Sequence, residues 1–293
     1  MSSYITANEF FKEKFGCKII KIPINGGFTC PNRDGKKGFG GCIFCSEKGS
    51  GDFLCSPDTP IAEQFVRMKE IMNKKWKNGK YMIYFQSFTN TYGPVEKLRK
   101  MFTEAVNLKD VVGISIATRP DCIDEDLLPL LEELSQKCYV TVELGLQTSN
   151  EKTAEYINRR YPNSDFEKAM KMLNKINIDV ICHIIFGLPG ETGTDMINSV
   201  KYAAESGIKG IKIQLLHILK GTKLGEIYEK SPFKILTLDE YANLLADAIA
   251  LLPKDIVIHR ITGDGPKKIL IAPKWSENKK LVLNTLNKKL KLS

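Results

Sequence analysis

The chain has 293 residues, a formal net charge of +9 and 43% apolar residues, which is enough for a substantial buried core and excludes a disordered chain. No apolar run approaches the roughly 20 residues that cross a bilayer. The opening residues, MSSYITANEFFKEKFG, also lack the basic-then-apolar order of a secretory signal. We therefore expect a cytoplasmic globular protein with no membrane partner.

Short runs of β-branched residues alternate along the chain with longer amphipathic runs. Strands are predicted at residues 19–24, 81–87, 111–118, 139–147, 179–187 and 210–218. Helices are predicted at residues 61–76, 94–106, 124–136, 165–176 and 194–206. A further helix over 237–253 opens with Thr237 and Glu240 at capping-box spacing, and a strand, a turn and a terminal helix follow it.

This alternation indicates βα units and a parallel sheet that is covered on both faces. Since polar and glycine residues gather at the carboxyl ends of the predicted strands, we expect an α/β fold with a partial or full TIM-like (βα) barrel. Residues 1–235 would form the barrel and residues 236–293 a small strand–helix extension packed on it. The long glycine-rich connection at residues 25–60 is typical of a functional loop.

That connection contains CPNRDGKKGFGGCIFC, with Cys30, Cys42 and Cys45. Eight cysteines in a reducing compartment argue against disulfides and favour a metal or redox role for any that cluster. Three thiolates on a four-iron cluster would leave one iron open for another molecule. Spacing alone leaves two alternatives open: a structural zinc site completed by Cys55 or Cys17, and inert buried cysteines.

A three-cysteine loop after the first strand of a βα barrel, with an aromatic residue beside the third cysteine, resembles the radical S-adenosylmethionine (SAM) superfamily. The motifs VELGLQT (142–148), ATRPDCI (117–123), FGLPGET (186–192), TGDGP and APKW resemble its YhcC-like branch, which is related to the Elongator catalytic subunit. The gap of eleven residues between Cys30 and Cys42, where three are most common, also points to a particular branch.

The resemblance implies a [4Fe–4S] cluster on Cys30, Cys42 and Cys45, with SAM bound at the open iron. It places the aromatic ring of Phe44 near the SAM adenine. A reduced cluster would cleave SAM to methionine and a 5′-deoxyadenosyl radical, which removes a hydrogen atom from the substrate. A flavodoxin or ferredoxin would supply the electron.

Further SAM contacts are expected from polar residues near strand ends. Glu143 and Gln147 share one strand face, where the resemblance implies SAM binding and an internal salt bridge is the alternative. Gln86 and Asn90 follow a strand where the superfamily often carries a GGE-like turn; they could replace it or cap the loop. The guanidinium of Arg119 could bind the SAM carboxylate as a fork.

Two other signals lie on later strands. The turn at Gly187 is expected to let the cofactor approach the backbone, with a structural turn as the alternative. His183 is a candidate for substrate contact or proton transfer, although lone strand histidines are more often core residues. Cys182 should face away from it.

The substrate class is suggested by charge and by the resemblance. From residue 267 to the end there are eight lysines and one acid, a balance that suits an anionic partner or a solvated helix face. MnmL-type members of the branch act on transfer-RNA wobble uridines. The resemblance thus implies conversion of carboxymethylaminomethyluridine to aminomethyluridine on tRNA, before a separate methyltransferase. Alternatives are a radical SAM enzyme acting on a small metabolite and a non-catalytic zinc-binding module.

Overall fold

A computed structural model describes residues 4–49, 51, 54–263 and 265–292, so Asp264 of the TGDGP motif lies outside the described residues. Eight of its strands form one parallel sheet, in the order β1-β9-β7-β6-β5-β4-β3-β2. These strands are β1 (Ile5–Thr6), β2 (Lys18–Ile24), β3 (Gly79–Phe85), β4 (Val111–Thr118), β5 (Tyr139–Gln147), β6 (Asp179–Phe186), β7 (Gly210–Leu215) and β9 (Val257–Arg260). Strands β2 to β7 are neighbours in chain order, and the sheet curls into the predicted partial barrel.

Helices follow most of these strands and cover the outside of the sheet. They are α1 (Ala7–Phe15), α2 (Ile61–Asn73), α3 (Val95–Val106), α4 (Leu128–Ser135), α5 (Glu151–Tyr156), α6 (Asn163–Lys175), α7 (Gly193–Glu205), α8 (Lys223–Lys230), α9 (Leu238–Ala250) and α10 (Lys279–Leu292). The predicted capping box of α9 is confirmed, because Thr237 accepts a bond from the Glu240 amide and Glu240 accepts one from the Thr237 amide. Within the described residues, no helix has both the length and the apolar composition needed to cross a membrane.

Alternation along the strands separates an apolar outer face from a more polar inner one. On β5 the outward residues Val142, Leu144 and Leu146 are fully buried under the helices, whereas the inward Gly145 and Gln147 are partly exposed. The interior of the partial barrel is therefore accessible, and polar residues on the inner faces can meet a ligand.

The first helix was not predicted, and it contacts the start of β5. Thr6 and Glu9 form its capping box. The ring of Phe11 lies 6.3 Å from the ring of Tyr139, at the amino-terminal end of β5, and 5.9 Å from that of His259. Aromatic packing of this kind holds α1 near the amino-terminal end of the barrel, away from the carboxyl ends of the strands.

The C-terminal segment is integrated into the main sheet. Strand β9 pairs with β7, and β1 pairs with β9. The predicted strand at 210–218 breaks after Leu215, and its last residues form β8 (Ile218–Leu219), which pairs antiparallel with β10 (Leu270–Ala272). Residues 236–293 thus supply a strand of the barrel sheet as well as the helices packed on it.

Candidate functional site

The three cysteines lie on the connection that leaves the carboxyl end of β2. The amides of Arg33 and Asp34 donate to the carbonyl oxygen of Cys30 at 2.8 and 3.2 Å. The amide of Cys45 donates to the carbonyl oxygen of Cys42 at 3.0 Å. These turns order the three cysteines on one loop, at the edge of the barrel where active sites of this fold are found.

Polar side chains are directed at the cysteine sulfurs. The Arg119 Nη1 atom lies 3.9 Å from the Cys30 Sγ atom, and the Asn32 Nδ2 atom lies 3.9 Å from the Cys42 Sγ atom. A hydrogen bond between the Cys42 and Cys45 thiols lowers the pKa of Cys45 and raises that of Cys42 well above its usual value. The site thus favours thiolate at one cysteine, and thiolate is the form that binds metals.

The three loop thiols fit the ligand set of a cluster. Cys30, Cys42 and Cys45 lie on one loop with side-chain donors beside two of their sulfurs, and cysteine thiolates are the ligands that hold a [4Fe–4S] cluster. Across the described part of the chain, no three His, Cys, Asp or Glu side chains converge closely enough to hold one metal ion. Cys55, one of the two predicted candidates for a fourth zinc ligand, packs against the main apolar core.

A short segment after α5, residues 157–159, is hydrogen-bonded to this loop, and we call this segment the cradle. The Ile43 amide donates to the Ile157 carbonyl at 3.0 Å, and the Asn158 side chain donates to the Gly41 carbonyl at 2.7 Å. The Asn32 side chain in turn donates to the Asn158 carbonyl at 2.6 Å. Asn158 has a φ of +57°, a left-handed conformation that non-glycine residues seldom adopt. Sequence reasoning missed this cradle.

Arg159 ties the cradle to the end of β5. Its guanidinium is fully buried and donates to the carbonyls of Leu146 at 2.9 Å, Thr148 at 2.7 Å and Tyr161 at 3.0 Å. Gln147, a predicted SAM contact, lies between two of these acceptors with a φ of +68°. Its partly exposed side chain is thus held at the carboxyl end of the barrel.

The guanidinium of Arg119 is hydrogen-bonded to other groups of the protein. Its Nε and Nη2 atoms bind both carboxylate oxygens of Asp121 at 2.8 Å, and its Nη1 atom donates to the Arg159 carbonyl at 3.1 Å. Although burial raises the pKa of Asp121, Arg119 and Lys37 together hold it below its usual range. Because Asp121 already occupies the fork that was predicted for the SAM carboxylate, the geometry makes Arg119 a neighbour of Cys30 instead.

The loop after β3 contains the two predicted substitutes for a GGE-like turn. Asn90 is fully buried and donates to the carbonyls of Ser87 at 3.0 Å and Ala117 at 2.8 Å. It joins this loop to the end of β4, which is the loop-capping alternative. Gln86 follows β3 directly and is partly exposed.

Glu143 lies at the centre of a charged network inside the barrel. Its carboxylate accepts from the Lys21 Nζ atom at 2.9 Å and the Ser115 hydroxyl at 2.7 Å, and it also accepts from Lys212. The His183 Nε2 atom lies 2.7 Å away. The internal salt bridge, which was the alternative to SAM binding at Glu143, is thus present.

This network shifts the pKa values of its members. Burial raises the pKa of Glu143, but Lys21 and Lys212 outweigh burial and hold it well below its usual value. Burial and the charge of Lys212 lower the pKa of His183 to about 4, so its ring is neutral at pH 7. Burial outweighs the attraction of Glu143 and lowers the pKa of Lys212 to about 7.

Sequence reasoning missed Lys21 and Lys212 as members of the site. Each is a lysine within an otherwise apolar strand, in KIIKIPI and GIKIQLL. A lysine between residues that face a covered sheet surface is unusual, because burial of a charge needs a partner. That signal was available, but the shared partner, Glu143, was not predictable from either strand.

The remaining predicted positions surround the same end of the barrel. Gly187 has a φ of +91°, and its amide donates to the Met196 Sδ atom at 3.2 Å. Phe44 is partly buried in a small apolar cluster with Leu224 of α8. Cys182 is fully buried on the outer face of β6, opposite to His183.

Comparison with known families identifies the class of protein. Residues 27–222 match the Radical SAM superfamily, and residues 208–291 match the Radical_SAM C-terminal domain. The first match covers the cysteine loop and strands β3 to β7. The chain therefore belongs to the Radical SAM superfamily, and its cofactors are SAM and a [4Fe–4S] cluster.

The relatives confirm the predicted YhcC-like branch. The chain is 47% identical to the uncharacterized protein YtqA of Bacillus subtilis, over 98% of this chain and 89% of YtqA. It is 34% identical to protein YhcC of Escherichia coli, over 91% of this chain and 85% of YhcC. A tRNA uridine(34) acetyltransferase of Methanocaldococcus jannaschii is 26% identical over 55% of this chain and 30% of its own length.

The fold has counterparts among solved structures. An archaeal Elp3 from Methanocaldococcus infernus superposes with a TM-score of 0.66 at 19% identity, over 92% of this chain. The chain spans 63% of that Elp3 chain. The coproporphyrinogen III oxidase HemN of Escherichia coli, a radical SAM enzyme, superposes with a TM-score of 0.53 at 15% identity, over 85% of this chain and 56% of HemN. These matches support the partial barrel.

Proposed function

We propose that this radical SAM enzyme acts on tRNA and converts wobble carboxymethylaminomethyluridine to aminomethyluridine. Loss of a hydrogen atom and one further electron from the carboxymethyl CH2 group would give an imine, and its hydrolysis would break the C–N bond and release glyoxylate. The two electrons would reduce SAM to methionine and 5′-deoxyadenosine. Cys30, Cys42 and Cys45 would hold the cluster. The observation that carries this assignment is the cysteine loop, with its three thiols at the carboxyl edge of the barrel and side-chain donors directed at two of the sulfurs. When bound, the cluster supplies one-electron chemistry that cleaves SAM into methionine and a hydrogen-abstracting 5′-deoxyadenosyl radical.

The surrounding residues hold and orient these groups. Arg119 and Asn32 donate toward the sulfurs and stabilise thiolate charge. Asn90 shapes the loop after β3, and Glu143 anchors the lysines of the interior. These four residues act by positioning.

Direct SAM contact is proposed for the partly exposed positions at the same edge. These positions are Phe44, Gln86, Gln147 and Gly187. His183, neutral at pH 7 and 14% exposed inside the barrel, is proposed to contact the substrate.

Support for a tRNA substrate comes from the relatives and from a basic surface beside the cysteine loop. Lys220, Lys223, Lys267 and Lys268 are exposed around the antiparallel pair of β8 and β10. The Leu224 amide, at the start of α8, donates to the carbonyl of Ile43 in the cysteine loop at 2.8 Å. A lysine surface at the rim of the site suits the phosphate backbone of an RNA.

The proposed reaction implies two partner proteins, one that supplies an electron and one that uses the product. It needs a one-electron reductant, such as a flavodoxin or ferredoxin. Its product would carry a primary amine, which is a suitable substrate for a separate methyltransferase.

Mass spectrometry of tRNA nucleosides tests the proposal. The anaerobically reconstituted protein is incubated with SAM, a reductant and tRNA bearing carboxymethylaminomethyluridine. We expect conversion to aminomethyluridine. The Cys42→Ala variant should lose it, and the Cys138→Ala variant, changed at the amino-terminal side of β5, should retain it. Production of 5′-deoxyadenosine without any nucleoside change would refute the tRNA substrate and favour a small metabolite.

A further inference from the structure

The barrel interior contains more basic than acidic side chains around Glu143. Among the described residues, Glu143 is the carboxylate that pairs with both Lys21 and Lys212. Arg260 lies opposite Lys212 in the pairing of β7 with β9, and its charge contributes to lowering the pKa of both Lys212 and His183. Two lysines therefore contact one carboxylate, and the exposed Arg260 adds a third basic residue nearby.

The neighbours of this group do not supply the missing negative charge. The Lys212 Nζ atom donates to the Tyr84 hydroxyl at 3.2 Å, and burial raises the pKa of Tyr84 well above its usual value. Burial lowers the pKa of His259 as well as that of His183. Both imidazoles and the phenol are thus uncharged at pH 7. Because the pKa of Lys212 is about 7, an anion bound beside it would favour its ammonium form.

The basic group is partly exposed inside the barrel. The side chains of Lys21, His183 and Lys212 are 24%, 14% and 7% exposed. On β4 and β5, the next inward positions toward the cysteine loop are Ala117 and Gly145, which carry little or no side chain. A small anionic group entering past these positions would meet the two lysines.

We infer that Lys212 and Lys21 bind the carboxylate of the substrate's carboxymethyl group, with Glu143 as the positioning residue that holds both ammonium groups. The inference rests on the proposed function, because that substrate carries a carboxylate at the group to be removed. Two lysines that share one carboxylate retain bonding capacity for a second one, and the ammonium group donates three hydrogen bonds.

The same arrangement would make the enzyme bind its substrate more tightly than its product. Aminomethyluridine lacks the carboxylate and keeps the amine, now primary, so its wobble group changes from zwitterionic to cationic, which the basic interior disfavours. Binding should therefore weaken once the carboxymethyl group has been removed, and product release would follow from the chemistry. Surface lysines that contact phosphates cannot provide this discrimination, since both RNAs carry the same backbone.

The test compares two anticodon stem-loop RNAs that differ only in the wobble group, carboxymethylaminomethyl or aminomethyl. Equilibrium binding is measured on the cluster-containing protein with SAM and without reductant. We expect the wild-type protein to prefer the carboxylate RNA by about 10-fold or more, the range of a charge-assisted hydrogen bond. Lys212→Met should bring the ratio close to one while aminomethyl RNA binds as before.

Two further variants make the result specific. Lys21→Met alters the more exposed lysine and should reduce the same ratio even if Lys212→Met folds poorly. Lys209→Met removes an exposed lysine just before β7 and should leave the ratio unchanged. A preference that persists in both Lys212→Met and Lys21→Met overturns the inference, while conversion of carboxymethylaminomethyl tRNA by the wild type would still uphold the proposed function. Failure of the wild type to convert that tRNA would overturn both.

Discussion

Replacement of Lys212 by methionine should change how the stability of the protein depends on pH. Burial lowers the pKa of Lys212 to about 7 in the folded state, against 10.5 as its ordinary value. Between these values the unfolded chain binds more protons at this residue than the folded one, so its contribution to the free energy of unfolding rises with pH. The gain grows as pH rises above the folded pKa, is complete above 10.5 and is lost as pH falls through 7.

The magnitude follows from proton linkage. One proton changes the free energy of unfolding by at most about 1.4 kcal/mol per pH unit. Allowing for partial protonation of Lys212 at pH 7, the wild-type protein should gain about 2 kcal/mol relative to Lys212→Met between pH 7 and pH 9. The buried tyrosines and cysteines are common to both proteins and cancel in the difference.

Urea unfolding of both proteins at pH 7, 8 and 9, followed by circular dichroism, measures this difference. The exposed lysine variant Lys209→Met should follow the wild-type pH dependence. Parallel curves for wild type and Lys212→Met would refute the reasoning, because they would mean that the Lys212 ammonium keeps an ordinary pKa despite its burial beside Glu143.

Two other variants test the cysteine loop and the basic surface. A Cβ atom at Gly38 would lie 2.6 Å from the Asn32 Oδ1 atom, so Gly38→Ala should displace the side chain that donates toward Cys42 and reduce the iron retained per chain. Iron analysis after anaerobic purification checks this, and full iron content would contradict it. The double variant of Lys267 and Lys268 to Glu should weaken tRNA binding and reduce its salt dependence, whereas Lys201→Glu on α7 should not. A filter-binding titration at several salt concentrations measures this effect. If the surface does not contact RNA, the slope of the logarithm of the binding constant against the logarithm of the salt concentration would be unchanged.

The main elements could be predicted because their signals are local. The β-branched strands β2 to β7 and the helices between them, except the short α5, follow from periodicity alone. The cysteine loop was predictable from its length and spacing. The capping-box spacing of Thr6 and Glu9 is an equally local signal, but the predicted elements did not include α1.

The contacts within the site were less predictable because they join distant parts of the chain. Lys21 and Lys212 meet at Glu143 from β2 and β7, which are far apart in the sequence. Their shared position depends on which strands curl together, and neither strand pattern contains that information. The prediction for Arg119 identified the binding chemistry of a guanidinium but missed that Asp121, two residues away, fills its fork.

The central claim is that Cys30, Cys42 and Cys45 hold a [4Fe–4S] cluster with one iron open to SAM. The most direct measurement is iron content together with electron paramagnetic resonance of the reduced protein, with and without SAM. We predict about four irons per chain and a spectrum that changes when SAM is added. Cys42→Ala should lose both properties, and Cys138→Ala should keep them. A Cys42→Ala protein that retains the full cluster and its response to SAM would contradict the account.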